Sequence, residues 1–220
     1  MTHDRPAGVP ADALEKLVDD LSYVYDGAFT RDEVAAVVTE SYTLLEGRAR
    51  VTDFLVVLTR KFARERLSAR AASRGIAPAG VPEVLFLCVR NAGRSQMAAA
   101  LLQHRSGGRV HVRSAGSDPG DGIHPVVTEA MAEIGITLTE AFPKPLTDDV
   151  VRASDVIVSM GCGDTCPVYA GKRYLDWDVP DPHDKPIDEV RLIRDEIDRR
   201  VSELLAGLIP GEAPAAHVAP

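Results

Sequence analysis

Cys88 and Arg94 bracket five residues, Val89-Arg90-Asn91-Ala92-Gly93, and Ser95 follows directly. The run stands where the apolar segment Val84-Leu85-Phe86-Leu87 stops and a helix-forming sequence begins. A turn of this length can curl its backbone N–H groups inward around a tetrahedral oxyanion, and the helix start adds the positive end of its dipole. The same field favours the thiolate of Cys88 and makes it a nucleophile. Arg94 presents a planar fork of donors that matches two oxygens of such an anion, which Lys would not copy. Ser95 can donate its hydroxyl to the Cys88 sulfur. Gly93 permits close backbone approach, and Asn91 can adopt a left-handed conformation and hold the loop with its amide. A buried structural cysteine with a surface arginine nearby is the plainer alternative; the position between strand and helix favours chemistry.

Two further stretches bear reactive groups. In Asp176-Trp177-Asp178-Val179-Pro180-Asp181-Pro182, an Asp before Pro on a partly apolar loop suits a general acid, with desolvation keeping Asp181 protonated; Asp178 is the competing candidate. In Met160-Gly161-Cys162-Gly163-Asp164-Thr165-Cys166-Pro167, Cys162 and Cys166 stand four apart among glycines. Three thiols at one end of a sheet suggest thiol–disulfide exchange. Zinc is the alternative for the pair, but it usually takes four ligands at recognisable spacing, and the histidines are scattered. His104, His111, His124 and His183 read as surface or helix-end residues, and no metal is expected.

These groups need a scaffold, and the chain changes period to supply one. Val84–Leu87, Val110–Arg113, Asp155–Met160 and Arg173–Asp176 read as strands, while Gln96–Arg105, His124–Ile134, Leu146–Ala153 and Ile187–Leu208 read as helices. Alternation of this kind predicts an α/β fold: an open parallel four-stranded sheet with helices on both faces, binding ligands at the carboxyl ends of its strands. Before it, the stripes Leu14, Leu17, Val18, Leu21, then Val34, Val37, Val38, Tyr42, Leu45, then Phe54, Leu55, Leu58, Phe62 predict three helices. Thr30 with Glu33 makes a capping box, and Gly27 and Gly47 are stops. The boundaries read as a disordered leader at 1–10, a three-helix domain at 11–74, a linker at 75–82, the α/β domain at 83–209 and a disordered tail at 210–220. The helical unit reads as a stabilising or oligomerising appendage rather than a binding module, and the residues do not choose an oligomeric state. Its basic run Arg60–Arg66 reads as a solvated face.

Composition narrows the partners. A formal net charge of -8 leaves no clustered cationic face for nucleic acid. The first residues have no apolar signal core and no run approaches membrane-spanning length, so the chain reads as cytoplasmic with no membrane partner. Three cysteines, an odd number, fit reduced thiols there better than a disulfide framework.

Cys88-x5-Arg94-Ser95, with Asn91 in the loop and a distant Asp181-Pro182, resembles the low-molecular-weight protein tyrosine phosphatase fold. Within it, Gln96-Met97, Ser114-Ala115-Gly116, Lys144-Pro145-Leu146-Thr147, the segment Ser159–Pro167 and the Val190–Ile197 helix resemble the phosphatase-like, thioredoxin-coupled arsenate reductases. The resemblance covers about Val84 to Leu208, and the N-terminal helices resemble an extension of actinobacterial members. It implies that Cys88 attacks arsenate held by residues 89–95, that Asp181 protonates the departing oxygen, and that Cys162 and then Cys166 carry the relay to thioredoxin. No bound cofactor is implied. Relatives often carry Cys where this chain has Gly93, and an acidic residue used for potassium in some members falls at Ala99. The short Cys162–Cys166 spacing keeps open a route in which mycothiol and a mycoredoxin complete the cycle from Cys88 alone. A phosphotyrosine phosphatase and a non-enzymatic oxyanion or arsenite sensor are the other readings.

Overall fold

The computed structural model describes residues 11–47, 54–76, 80–161 and 168–209. The expected leader at 1–10, residues 77–79 of the linker, the segment 162–167 with Cys162 and Cys166, and the tail at 210–220 lie outside the described residues. In chain order the elements are α1 (Ala11–Val24), α2 (Arg31–Glu46), α3 (Leu55–Ser73), β1 (Glu83–Cys88), α4 (Arg94–Ser106), β2 (His111–Gly116), α5 (Pro125–Ala132), α6 (Asp148–Ala153), β3 (Val156–Met160), β4 (Arg173–Asp176) and α7 (Ile187–Leu208). Two compact units divide them: one takes Met1–Ala79 and Thr147–Ala153, the other Gly80–Leu146 and Ser154–Pro220.

The second unit is built on a four-stranded parallel sheet in the order β2-β1-β3-β4. β1 is buried along its whole length, as a central strand covered on both faces must be. Val84, Phe86 and Cys88 share one face and one apolar cluster with Met97, Leu101 and Leu102 of α4, Val127 and Met131 of α5, and Val190, Ile193, Ile197 and Val201 of α7. Leu85, Leu87 and Ile157 are buried on the opposite face. The chain leaves β1 toward β2 and leaves β3 in the other direction toward β4, so the carboxyl ends of β1 and β3 flank the crevice where such sheets take ligands. Cys88 and Met160 are register partners at that end.

The first unit is helical. Leu17, Val18 and Leu21 of α1, Val34, Val37 and Val38 of α2, and Ala63, Leu67 and Ala71 of α3 close on Phe29. The Thr30–Glu33 capping box is formed in both directions. Two expectations fail here. Phe54 is 67 % exposed and caps α3 instead of joining its apolar stripe, because the buried face follows Leu55, Thr59, Phe62, Ala63 and Arg66. Arg66, expected on a solvated face, is buried: its Nε lies 2.9 Å from Asp149 Oδ2 of α6, Nη2 2.7 Å from Glu40 and Nη1 3.2 Å from Ser41 Oγ. A carboxylate 83 residues away neutralises it, which no local reading could anticipate. Among the described residues no helix is long and apolar enough to cross a membrane.

Candidate active site

Every carbonyl of the loop that follows β1 is taken from outside the loop's hollow. Ser117 N–H donates to Cys88 O at 3.3 Å, Asp118 N–H to Val89 O at 2.9 Å, Gly120 N–H to Arg90 O at 2.8 Å and His124 N–H to Ala92 O at 3.0 Å. Gln96 Nε2 donates to Asn91 O at 3.1 Å, and the N–H groups of Gln96 and Met97 reach Gly93 O at 3.1 and 3.0 Å. Asn91 N–H donates to Cys88 Sγ at 3.2 Å. With the acceptors used on the outside, the N–H groups of Arg90, Ala92, Gly93, Arg94 and Ser95 have no acceptor among the described residues. Those of Arg94 and Ser95 are also first-turn donors of α4, which a helix never pairs internally. The result is a ring of donors around a buried thiol, a nest for an oxyanion.

A chain of fixed amides orients that thiol. Asn91 is held at φ 46°, in the left-handed region that Asn tolerates better than most residues. Its Oδ1 accepts from Gln96 Nε2 and from Lys144 N–H, each at 2.9 Å, so its Nδ2 is turned to Ser95 Oγ at 2.8 Å. Lys144 stands there because the Gly116 N–H donates to its carbonyl at 2.8 Å and Leu146 N–H donates back to Gly116 O at 2.9 Å, extending β2 by one pairing. Ser95 Oγ accepts from Asn91, which leaves its own O–H to donate to Cys88 Sγ, 3.0 Å away. Two donors therefore converge on the sulfur.

Arg94 opens α4 and folds its guanidinium across the crevice. Nη2 lies 2.7 Å from Asp181 Oδ2 and Nη1 3.3 Å from Val179 O. A Cβ on Gly161, at φ 75° just beyond β3, would lie 2.9 Å from Nη1, so the guanidinium packs on bare backbone there. The segment that carries Asp181 is anchored from below: Trp177 N–H donates to Ser159 O at 2.8 Å, its ring packs on Phe86 at 5.7 Å, and Val179 is buried. Pro182, also buried, sits against Gly93, where a Cβ would come 2.6 Å from its Cγ. The expected desolvation of Asp181 does not occur. Its side chain is 47 % exposed, because Pro182 takes the inward position and the carboxylate turns out to Arg94 and to the His183 N–H at 3.0 Å. Asp178 is exposed and its carbonyl accepts from Arg200, so of the two acids it is Asp181 that meets the loop arginine.

Cys88, the loop 89–95 and Asp181 are thus brought together, while Cys162 and Cys166 lie outside the described residues. Four neighbours were not expected: Gln96 and Lys144 as locks on Asn91, and the rings of His124 and His183, which pack edge to face at 4.8 Å beside Gly93. Their signal was topological. His124 follows β2 and His183 follows β4, at the same edge of a parallel sheet as Cys88. Burial and the nearby His183 hold the His124 imidazole below its usual value. Among the described residues no group of three His, Cys, Asp or Glu side chains gathers as metal ligands do.

A thiol seated in a ring of backbone donors at the switch point of a parallel sheet defines a class: a cysteine-based oxyanion-binding α/β protein. A family profile described as low molecular weight phosphotyrosine protein phosphatase matches residues 83–212, and one described as protein-tyrosine-phosphatase-like, N-terminal domain, matches residues 14–71. The chain belongs to the low molecular weight phosphotyrosine protein phosphatase family. A solved structure of a Corynebacterium glutamicum thioredoxin-dependent arsenate reductase resembles it with a TM-score of 0.82 and 44% identity, covering 91% of this chain and 98% of that one. A glutaredoxin arsenate reductase of Synechocystis is 30% identical over 127 residues, 56% of this chain and 96% of its own. An arsenate reductase of Brevibacillus brevis is 31% identical over 126 residues, 54% of this chain and 91% of its own.

Proposed function

We propose that this chain reduces arsenate to arsenite, with Cys88 as nucleophile, loop 89–95 as the oxyanion cradle through the Arg94 guanidinium and the N–H groups of Arg90, Ala92, Gly93, Arg94 and Ser95, and Asp181 as the acid. The observation that carries the reading is the complete outward pairing of the loop carbonyls around a thiol that receives two hydrogen bonds. The Cys88 thiolate attacks arsenic, an S–As bond forms, and an As–O bond breaks with the oxygen leaving as water. Asp181 gives up the proton. The carboxyl reaches the Arg94 guanidinium at 2.7 Å, which sets it at the rim of the cradle where a departing oxygen would take the proton. Cys162 then attacks the Cys88 sulfur, the S–As electron pair stays on arsenic, and arsenite leaves with As(V) reduced to As(III). Cys166 attacks Cys162, freeing Cys88 and presenting a Cys162–Cys166 disulfide to thioredoxin. Only Gly161 separates Cys162 from Met160, the register partner of Cys88, which favours this order. The reductases it resembles support the substrate, and the C. glutamicum protein supports thioredoxin as reductant. Reduced thiols imply a cytoplasmic site of action.

NADPH consumption with arsenate, in thioredoxin plus its reductase or in mycothiol plus mycoredoxin, tests the proposal. Cys162→Ser and Cys166→Ser are each expected to abolish thioredoxin-driven turnover. Full activity in the double variant removes the relay, and turnover with mycothiol alone assigns the reduction to Cys88 by itself. A second reading, phosphotyrosine hydrolysis, is favoured by the family and by a cradle that recognises any tetrahedral oxyanion. Efficient hydrolysis of a phosphotyrosine peptide with no arsenate-dependent thioredoxin oxidation decides for it.

A further inference from the structure

The two imidazoles at the rim of the cradle have no part in the chemistry above, yet they join its two halves. His124 is fixed at its backbone, where its N–H holds Ala92 O at 3.0 Å as the chain enters α5. His183 is fixed at its backbone, where its N–H holds Asp181 Oδ1 at 3.0 Å. Between these anchors the rings meet edge to face, centroids 4.8 Å apart and planes at 74°. Gly93 lies under the junction: a Cβ there would stand 3.4 Å from His124 Cδ2 and 2.6 Å from Pro182 Cγ. The ring contact, with Pro182 on Gly93, thus spans from the cradle wall to the acid's own hydrogen bond.

We infer that the His124–His183 ring pair is a clasp that positions Asp181 over the oxyanion loop, and that it holds only while at least one of the two rings is neutral. The inference rests on Asp181 acting as the acid. An edge-to-face contact puts the positive rim of one ring on the negative face of the other, which is favourable for a neutral pair and tolerates one imidazolium. Two imidazolium ions at 4.8 Å repel. The described charges that face His124 are His183, Asp181, Arg90 and Asp184; burial, His183 and Arg90 oppose its protonation while Asp181 and Asp184 favour it. Asp184, 3.0 Å from His183 Nδ1, is 87% exposed, so its attraction is screened and the doubly charged pair is not rescued. As pH falls the first proton is accommodated, the second opens the clasp, and Asp181 loses its place while Arg94 and the N–H ring keep theirs.

Two substitutions in the full-length protein separate the clasp from general packing. His183→Ala removes the ring, and kcat for arsenate is expected to fall between about 10- and 100-fold, the cost of a misplaced acid, with KM changing less than about twofold. His183→Phe keeps a ring but no charge, so the doubly charged pair never forms, and the acid limb that the second protonation sets in the wild-type kcat profile is expected to be absent. Identical acid limbs in wild type and His183→Phe, or a KM rise that matches the kcat loss in His183→Ala, would overturn the clasp. Carbon-13 NMR of the Asp181 carboxyl reads the same event without turnover: its signal should step with the imidazole titration in wild type and not in His183→Phe. A protein that shows this step but reduces no arsenate retains the clasp and loses the reductase reading; a flat Asp181 signal in wild type rejects the clasp whatever the activity.

Discussion

Arg66 and Arg94 are both well covered, with side chains 5% and 11% exposed, but they are committed to very different degrees. In the helical unit, Arg66 spends Nε, Nη1 and Nη2 on Asp149, Ser41 and Glu40, and its main partner Asp149 is itself only 6% exposed. Neither can leave without stranding a charge in a poorly solvated place. In the sheet unit, Arg94 meets one backbone carbonyl and the half-exposed Asp181, a partner that water can replace. The difference marks a guanidinium that holds a fold together from one that stands ready for an anion, and it can be read from what the partner would lose on departure.

Four measurements test that contrast. The largest effect belongs to the cradle's centre: Cys88→Ser should lower arsenate turnover by about 10⁴-fold or more and leave the unfolding midpoint nearly where it was. Next comes the structural guanidinium. Asp149→Ala should cost about 3–5 kcal/mol in urea unfolding, because Arg66 is left buried and under-paired, whereas Arg66→Met with Asp149→Leu should recover most of the loss. If the double variant is as unstable as the single one, the pair is not what limits that unit. Asn91→Ala removes three side-chain hydrogen bonds and puts Ala at a left-handed φ; a stability loss of about 1–3 kcal/mol is expected, and a larger fall in kcat/KM than that stability loss explains. The smallest effect is on the far surface. Arg199 and Arg200 hold Glu196 down at about 2, so its contribution is present above the usual carboxylate value and is lost as pH falls toward about 2. Glu196→Gln should flatten the acid side of a melting-temperature profile only slightly, since the group lies in solvent.

The alternating strands and helices, the capping box and the bounds of α7 were legible because each is written in consecutive residues. The strand–loop–helix around Cys88 was legible for the same reason. What makes the loop a cradle was not, since the donors that seat Asn91 and the loop carbonyls come from Lys144 and from 117–124, segments whose approach depends on the sheet order. Phe54 stands at helical spacing with the core residues yet stays outside the core, because the helix begins just after it. Arg66 misled because its neutralising carboxylate arrives with α6, a helix that lies between two strands of the other unit in sequence. The exposure of Asp181 is not written in its local apolar context, because Pro182 next to it takes the buried place.

The four N–H groups of Ser117, Asp118, Gly120 and His124 meet four loop carbonyls in a fixed order. That correspondence limits how such a site can be moved or altered. Grafting Cys88–Ser95 into another sheet would carry the reactive groups without the strip that turns their carbonyls away, and the recipient would gain a cysteine but no nest. An insertion of one residue between Asp118 and Gly120 would slide the strip against the loop and strand at least one carbonyl. The portable unit, for an engineer or for a recombination event, is the loop together with 117–124, the 42 residues from Glu83 to His124 held as one piece by the β1–β2 pairing.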